Sequence, residues 1–313
     1  MAENAGRAVL ITGANSGIGK EVARQLAVRG DADAIYLACR NETKAQLARA
    51  DLESATGMSI FTTVPMDTSD PGSVNAAVDH LIDTPLRAIV MNAGGMGGPD
   101  PQATTIDGVT EIFASNVLGH VVLLERLIAD RALTSTAVMV GSEAARGVRQ
   151  LGIKRPTFTD HSVDEFAGVI DGSYFDGRKV DGGLSYAQVK YLAALWMSNL
   201  ARQHPELRLL TVSPGNTSGT DVFREMPAPI RMLLNRVLMP VVFPRIGLAH
   251  SVGDGAARLV DSVVNDDMAS GVFYASADNK LTGPVVDQAD IMPDFADATI
   301  QRNANEAIHR FIN

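Results

Sequence analysis

Tyr186 and Lys190 stand four residues apart in Tyr186-Ala187-Gln188-Val189-Lys190, so on a helix they share one face. A free phenol titrates near about 10 and moves protons poorly at neutral pH. An ammonium beside it favours the phenolate and lowers that value, which makes the pair a tunable general acid and base. The same spacing also occurs as an ordinary surface pair on a helix. What precedes the pair sets it apart: a glycine-rich turn at Thr12-Gly13-Ala14-Asn15-Ser16-Gly17-Ile18-Gly19, a turn at Asn92-Ala93-Gly94, and an apolar run ending in Val140-Gly141-Ser142.

The glycine-rich turn lies between an apolar run and an amphipathic one. Glycines there allow a tight turn and let backbone approach a phosphate at a helix N-terminus. Gly13, Asn15, Ser16, Gly17, Ile18 and Gly19 are therefore expected to hold the pyrophosphate of a dinucleotide. The second apolar run ends in Ala38-Cys39-Arg40-Asn41. A carboxylate at this place would accept from the ribose of NAD; Arg40 instead offers a forked cation suited to a 2′-phosphate, so NADP(H) is expected over NAD. Read on its own, Asp67, ahead of Ser69-Asp70-Pro71, is a helix cap.

These residues need elements to position them. Short apolar runs at Ala8–Thr12, Ala34–Cys39, Ser59–Met66, Arg87–Met91, Ala137–Val140, Leu207–Val212 and Val272–Tyr274 read as about seven strands. Helical patterns fill Gly17–Arg29, Glu42–Thr56, a stretch opened by Pro71, Ile106–Arg131 and Leu184–Arg202. Apolar strands alternating with helices predict an α/β fold, a doubly wound parallel sheet of the Rossmann type with helices on both faces. Residues 1–313 are expected to form a single nucleotide-binding domain with two long excursions, 143–183 before Tyr186 and 216–247 after the sixth strand.

Composition narrows the function classes. The chain has 313 residues, 46% hydrophobic and 20% charged, an ordinary globular mixture. Its net charge of −9 disfavours a nucleic-acid partner. One cysteine, Cys39, excludes an intrachain disulfide and reads as a core residue; a reducing, cytoplasmic setting is expected. No signal peptide is expected ahead of Ala8, and no run of 18 apolar residues suggests a membrane span. His161, His204 and His250 have no ligand-like spacing, so no metal is assigned. His120 reads as a packed helix residue, Trp196 as the buried face of the helix carrying Tyr186, and Glu143 as either a substrate contact or a loop-surface residue.

The glycine spacing T-G-x-x-x-G-x-G, with the later motifs in order, resembles the short-chain dehydrogenase/reductase family. The resemblance implies a tetrad. Ser142 orients a substrate carbonyl, Asn116 holds a relay water, Tyr186 donates the proton, and Lys190 binds the nicotinamide ribose and tunes Tyr186. It also implies that Asp67, with Thr68 beside it, meets the adenine end and that Asn92, Ala93 and Gly94 line the cofactor groove. Pro214, Gly215 and a threonine, Thr217 or Thr220, would meet the nicotinamide amide. The hydride is the cofactor's chemistry.

Several features resemble the retinol dehydrogenase and light-dependent protochlorophyllide reductase branch: Ala38–Asn41, the gap between Ser142 and Tyr186 (186 − 142 = 44), Gly219–Glu225 and Ser270–Tyr274. The sequence departs from the photoenzymes at Leu192, where they are similar to one another in a cysteine. The expected activity is therefore dark interconversion of a lipophilic ketone or aldehyde and its alcohol. The alternatives are a non-catalytic NADP(H)-sensing protein and a protochlorophyllide reductase-like C=C reductase. Residues 226–245, with Leu233 and Leu234, read as a substrate lid, as packing, or as a helix giving weak membrane-surface association. A homo-oligomer, dimer or tetramer, is expected.

Overall fold

The computed structural model describes residues 6–98, 100, 103–217 and 249–312. Their centre is one eight-stranded sheet in the order β3-β2-β1-β4-β5-β6-β7-β8. The strands are β1 Ala8–Thr12, β2 Ala34–Cys39, β3 Phe61–Pro65, β4 Leu86–Met91, β5 Leu133–Val140, β6 Arg208–Val212, β7 Phe273–Ser276 and β8 Val285–Asp287. All neighbours are parallel except β7 and β8. The sheet thus exceeds the expected seven strands by one short antiparallel edge strand. Its three half-buried residues carry too little apolar pattern to be read from sequence.

The helices among the described residues are α1 Gly17–Arg29, α2 Glu42–Thr56, α3 Pro71–Leu81, α4 Glu111–Ala129, α5 Val163–Asp171, α6 Gly182–Gln203, α7 Val252–Val264 and α8 Ala298–His309. Their ends follow from capping chemistry. Gly30 closes α1 in the left-handed region at φ 69°. Asn41 caps α2 by accepting from the Lys44 N–H. The cap of α3 is Asp70, accepting from the Gly72 N–H, and not Asp67 as expected. The carboxylate of Asp67 instead accepts from the backbone and hydroxyl of Ser69.

Two apolar layers sandwich the sheet. One joins α1, α2 and α7 to it through Val22, Leu26, Leu52, Leu259 and Val263. The other joins α3, α4, α6 and α8 through Val74, Phe113, Leu124, Trp196 and Ile308. Trp196 is wholly buried on α6, and its indole N–H donates to Glu125 of α4 at 3.3 Å.

The fourth long helix starts at Glu111 rather than Ile106, because Thr104 and Thr110 pair in a small antiparallel bridge that turns the chain first. It contains a π-helical turn at Ala114–Leu118, in which the Gly119 N–H reaches back to the Ala114 carbonyl. By length and mean hydropathy (1.5) α4 could cross a membrane, but 67% of its apolar window is buried in this molecule, as befits a core helix.

The 143–183 excursion is short 3₁₀ turns and α5, which Ser162 caps by accepting from the Glu165 N–H. An aromatic cluster ties it to α6: the Phe158 ring lies 5.0 Å from Phe166 and 5.3 Å from Tyr191. The sheet order reverses direction between β1 and β4, which opens a crevice beyond the carboxyl ends of the strands.

Candidate active site

The glycine-rich turn and the Asn92–Gly94 turn meet in that crevice. Gly13 and Gly17 have φ of 65° and 55°, a region L side chains rarely adopt. A Cβ on Gly19 would fall 2.5 Å from the Asn92 amide nitrogen and 2.7 Å from the Gly13 carbonyl oxygen. The Asn92 amide donates to the Thr12 carbonyl at 2.9 Å, and the backbone N–H groups of Asn92 and Ala93 both donate to the Thr12 hydroxyl oxygen at 2.8 Å. Gly17 faces open space, with no heavy atom within 4 Å of where its Cβ would be. Ser16, the N-cap of α1, makes no side-chain capping bond. The first N–H groups of α1 thus have no capping acceptor at the mouth of the crevice, a cradle suited to phosphate.

Cys39 packs below this turn, 3% exposed. The Ala14 and Asn15 N–H groups point at its sulfur, yet burial wins and pushes the thiol up to about 11. Arg40 is exposed at the end of β2, with Nη1 3.6 Å from an Asp67 carboxylate oxygen. The Thr68 hydroxyl donates to the Ser115 carbonyl of α4 at 3.2 Å.

On the other side of the switch point, Ser142 follows β5 and Tyr186 and Lys190 sit in the first turns of α6. The Ser142 hydroxyl accepts from the Ala144 N–H at 3.2 Å and stands near enough to the Tyr186 phenol to favour its charged form. The Lys190 ammonium lies 5.8 Å from the Tyr186 ring centroid and donates to the Val140 carbonyl at 3.0 Å. The expectation that Lys190 lowers the phenol is not met in this geometry. Burial pushes Tyr186 up to about 12 against the lowering pull of the Ser142 hydroxyl, with the Glu143 charge adding to the rise. Burial also brings Lys190 down to about 8. Desolvation disfavours both charged forms.

Asn116 is wholly buried in the π turn. Its amide donates to the Gly95 and Ile112 carbonyls at 2.9 and 2.8 Å, and its carbonyl oxygen accepts from the Gly95 N–H at 3.2 Å. A Cβ on Gly94 would overlap that oxygen. Pro214 and Gly215 follow β6, and the Gly215 N–H donates to the Ser213 hydroxyl oxygen at 3.1 Å. Thr217 is buried, its hydroxyl donating to the Gly215 carbonyl at 3.1 Å. Thr220, the Gly219–Glu225 stretch, Leu233, Leu234 and the expected lid from residue 218 on lie outside the described residues.

Sequence reasoning passed over the polar structure under this site. Glu143 is not a surface residue: it is 4% exposed and accepts from the Ser213 hydroxyl at 2.6 Å and from the Ser276 hydroxyl at 2.8 Å. Its partner Arg258, on α7, is far away in sequence and carried no motif. Buried Arg146 likewise donates to the Ser276, Ala277 and Lys280 carbonyls. Among the described residues no group of three His, Cys, Asp or Glu side chains is placed to hold a metal.

Residues 7–151 match the family model for short chain dehydrogenase. Retinol dehydrogenase 12 of Mus musculus is 39% identical over 128 residues, 39% of this chain and 39% of that protein. The chloroplastic protochlorophyllide reductase of Cucumis sativus is 28% identical over 295 residues, 88% of this chain and 72% of that protein. Residues 7–151 belong to the short-chain dehydrogenase/reductase family. Within that family its similarity is to the retinol dehydrogenase-like branch. The match to retinol dehydrogenase 12 spans about two fifths of that protein's length. The fold is that of L-sorbose reductase from Gluconobacter frateurii, described in complex with NADPH and L-sorbose: the TM-score is 0.64 at 18% identity, over 88% of this chain and 97% of that one. Leu192, where this chain differs from the expected photoenzyme cysteine, is wholly buried in the core.

Proposed function

We propose that this chain is an NADP(H)-dependent oxidoreductase that interconverts a lipophilic ketone or aldehyde and its alcohol. The observation that carries the reading is the convergence of Ser142, Tyr186 and Lys190 beside the glycine-rich turn, with the Lys190 ammonium 5.8 Å from the Tyr186 ring and anchored on the Val140 carbonyl just before Ser142. The residues present fit a dinucleotide: the N–H groups that open α1, the space over Gly17, and the Asn92–Gly94 turn would receive it, with Arg40 at the 2′-phosphate and Pro214, Gly215 and Thr217 at the amide. When bound, that cofactor supplies the hydride.

The chain's own residues do the rest. The Ser142 hydroxyl orients the substrate oxygen. Tyr186, held neutral by its surroundings, gives the phenolic proton to that oxygen as the carbonyl carbon gains its hydride, so that C=O becomes CH–OH. Lys190, its ammonium fixed by the Val140 carbonyl, holds the nicotinamide ribose. Asn116 keeps the helix turn beside them in place through Gly95. An apolar substrate is supported by the similarity to proteins named retinol dehydrogenase. NADPH oxidation over a panel of aromatic, terpenoid and steroid carbonyls tests the reading. Turnover by wild type, lost in Tyr186→Phe with NADPH binding retained, supports it. NADPH binding with no turnover on any member would overturn it in favour of a sensing protein.

A further inference from the structure

His120 sits one helical turn after Asn116 on α4 and is wholly buried. Both ring nitrogens have partners. Nε2 lies 2.9 Å from the Thr12 hydroxyl oxygen and Nδ1 lies 3.0 Å from the Asn116 main-chain carbonyl oxygen. The proton positions follow from counting. The Thr12 hydroxyl oxygen already accepts two backbone N–H groups, from Asn92 and Ala93. A hydroxyl has two acceptor positions and one proton, so its proton is left for His120 Nε2. That nitrogen is then the acceptor, and Nδ1 carries the ring's single proton and donates it to Asn116, a group that can only accept.

We propose that His120 is a positioning residue: a neutral imidazole protonated on Nδ1 that ties the Asn92–Ala93 turn, through Thr12, to the Asn116 turn, so that the cofactor groove and the tetrad helix are held in one register. The inference rests on the functional reading above and assigns it a part that touches neither substrate nor cofactor. Burial and the nearby Lys190 charge hold the ring neutral, with its titration pushed down to about 4. A protonated ring would have no acceptor at Nε2 and would break the chain of bonds at Thr12. The π turn belongs to the same arrangement, since Asn116 offers its side chain to Gly95 and its carbonyl to His120.

The test has two arms. Nitrogen-15 imidazole spectra of the whole protein, with His120 assigned by loss of its signals in His120→Gln, should show a protonated Nδ1 and a bare Nε2; the opposite tautomer overturns the proposal, and this arm needs no turnover. The second arm compares Thr12→Val, His120→Phe and the double variant for NADPH affinity and for kcat. Each single change should weaken NADPH binding about 10-fold, as expected for a buried polar group left unpaired. The double variant should lose little more than either. Additive losses overturn the proposal. His120→Gln, whose amide oxygen can accept from Thr12, should recover NADPH affinity but not kcat, because the bond to Asn116 is missing; recovery of neither overturns it as well. If wild type binds no NADPH, the functional reading falls while the tautomer result stands.

Discussion

Arg258 Nη1 lies 3.6 Å from Glu143 Oε1, with the two side chains only 9% and 5% exposed. The pair joins α7 to the loop after β5. Arg258 also donates to the Ser213 carbonyl, the Ser276 hydroxyl and the Gly283 carbonyl, while Glu143 accepts from both of those serines. The network braces the chain just before Pro214 and just after Ser142, the two segments that bound the nicotinamide end of the proposed site.

Two buried charges cost several kcal/mol of hydration, and removing one strands the other. Arg258→Met is therefore expected to destabilise the protein by about 3 kcal/mol or more. Glu143→Leu combined with Arg258→Met should be less harmful than the sum of the single changes. Denaturant melts of the four proteins check this, and additive losses would show that the pair does not act as one unit.

Lys190 should trade stability for function. Its ammonium is pulled down from 10.5 to about 8 by burial, so folding is penalised wherever the unfolded chain keeps the proton more firmly. The stability of wild type relative to Lys190→Met should therefore rise with pH between about 8 and 10.5, and be lowest below that window. At pH 7, with no cofactor added, Lys190→Met is expected to melt at a higher temperature than wild type while losing turnover. A variant that melts lower at every pH would contradict the burial argument.

Tyr186 titrates the other way. Its phenol is raised from 10.0 to about 12, so the folded protein keeps a proton that the unfolded chain has lost between those values. The stability associated with Tyr186 is present below pH 10 and lost as the pH climbs towards 12. Tyr186→Phe removes the titrating group, and its stability relative to wild type should grow over that interval in melts followed by circular dichroism.

Arg40 and Asp67 form an exposed pair at 3.6 Å, a contact worth at most about 1 kcal/mol and easily exchanged. Arg40→Ala should raise KM for NADPH about tenfold and leave KM for NADH nearly unchanged, the cost of one charge-assisted phosphate contact. Asp67→Asn frees Arg40 and should move the ratio the opposite way if the carboxylate is not needed at the adenine. Steady-state kinetics with both cofactors decide it.

Gly119 gives a test in which two effects oppose. Alanine in a helix interior is favoured over glycine by about 1 kcal/mol. A Cβ at this place, however, would run into the Thr68 carbonyl oxygen, where backbone meets backbone. Gly119→Ala is therefore expected to destabilise by about 1–3 kcal/mol, which thermal melting would register as a lower Tm.

Much of the nucleotide-binding half could be read because local chemistry marks it. The limits of β1, α1, β2 and α2 fall where the residue pattern puts them, since Gly30, Asn41 and Gly57 punctuate the helices. The later part was harder for definite reasons. Helix α8 buries Gln301, Ala304, Ala307 and Ile308, small or polar residues that leave little apolar periodicity. Helix α7 opens with Gly253 and Gly255, which weaken its signal, although a Ser251–Asp254 capping box starts it. Glu143 could be noticed only because it follows Ser142. Its buried state depends on Arg258, a contact between distant parts of the chain that no local pattern encodes. The phenol shift of Tyr186 runs opposite to what its spacing from Lys190 suggests, because spacing places the charges and says nothing of the desolvation that governs them.

Trp196 offers a practical consequence. It is the single tryptophan of the chain, buried on the helix that carries Tyr186 and Lys190 and tethered to Glu125 on the helix that carries Asn116. Its emission therefore comes from one known place, at the seam between those two helices. Any event that parts them shifts that light, and a reduced nicotinamide bound nearby would absorb it. The protein thus carries its own fluorescent gauge of whether the reaction centre is assembled.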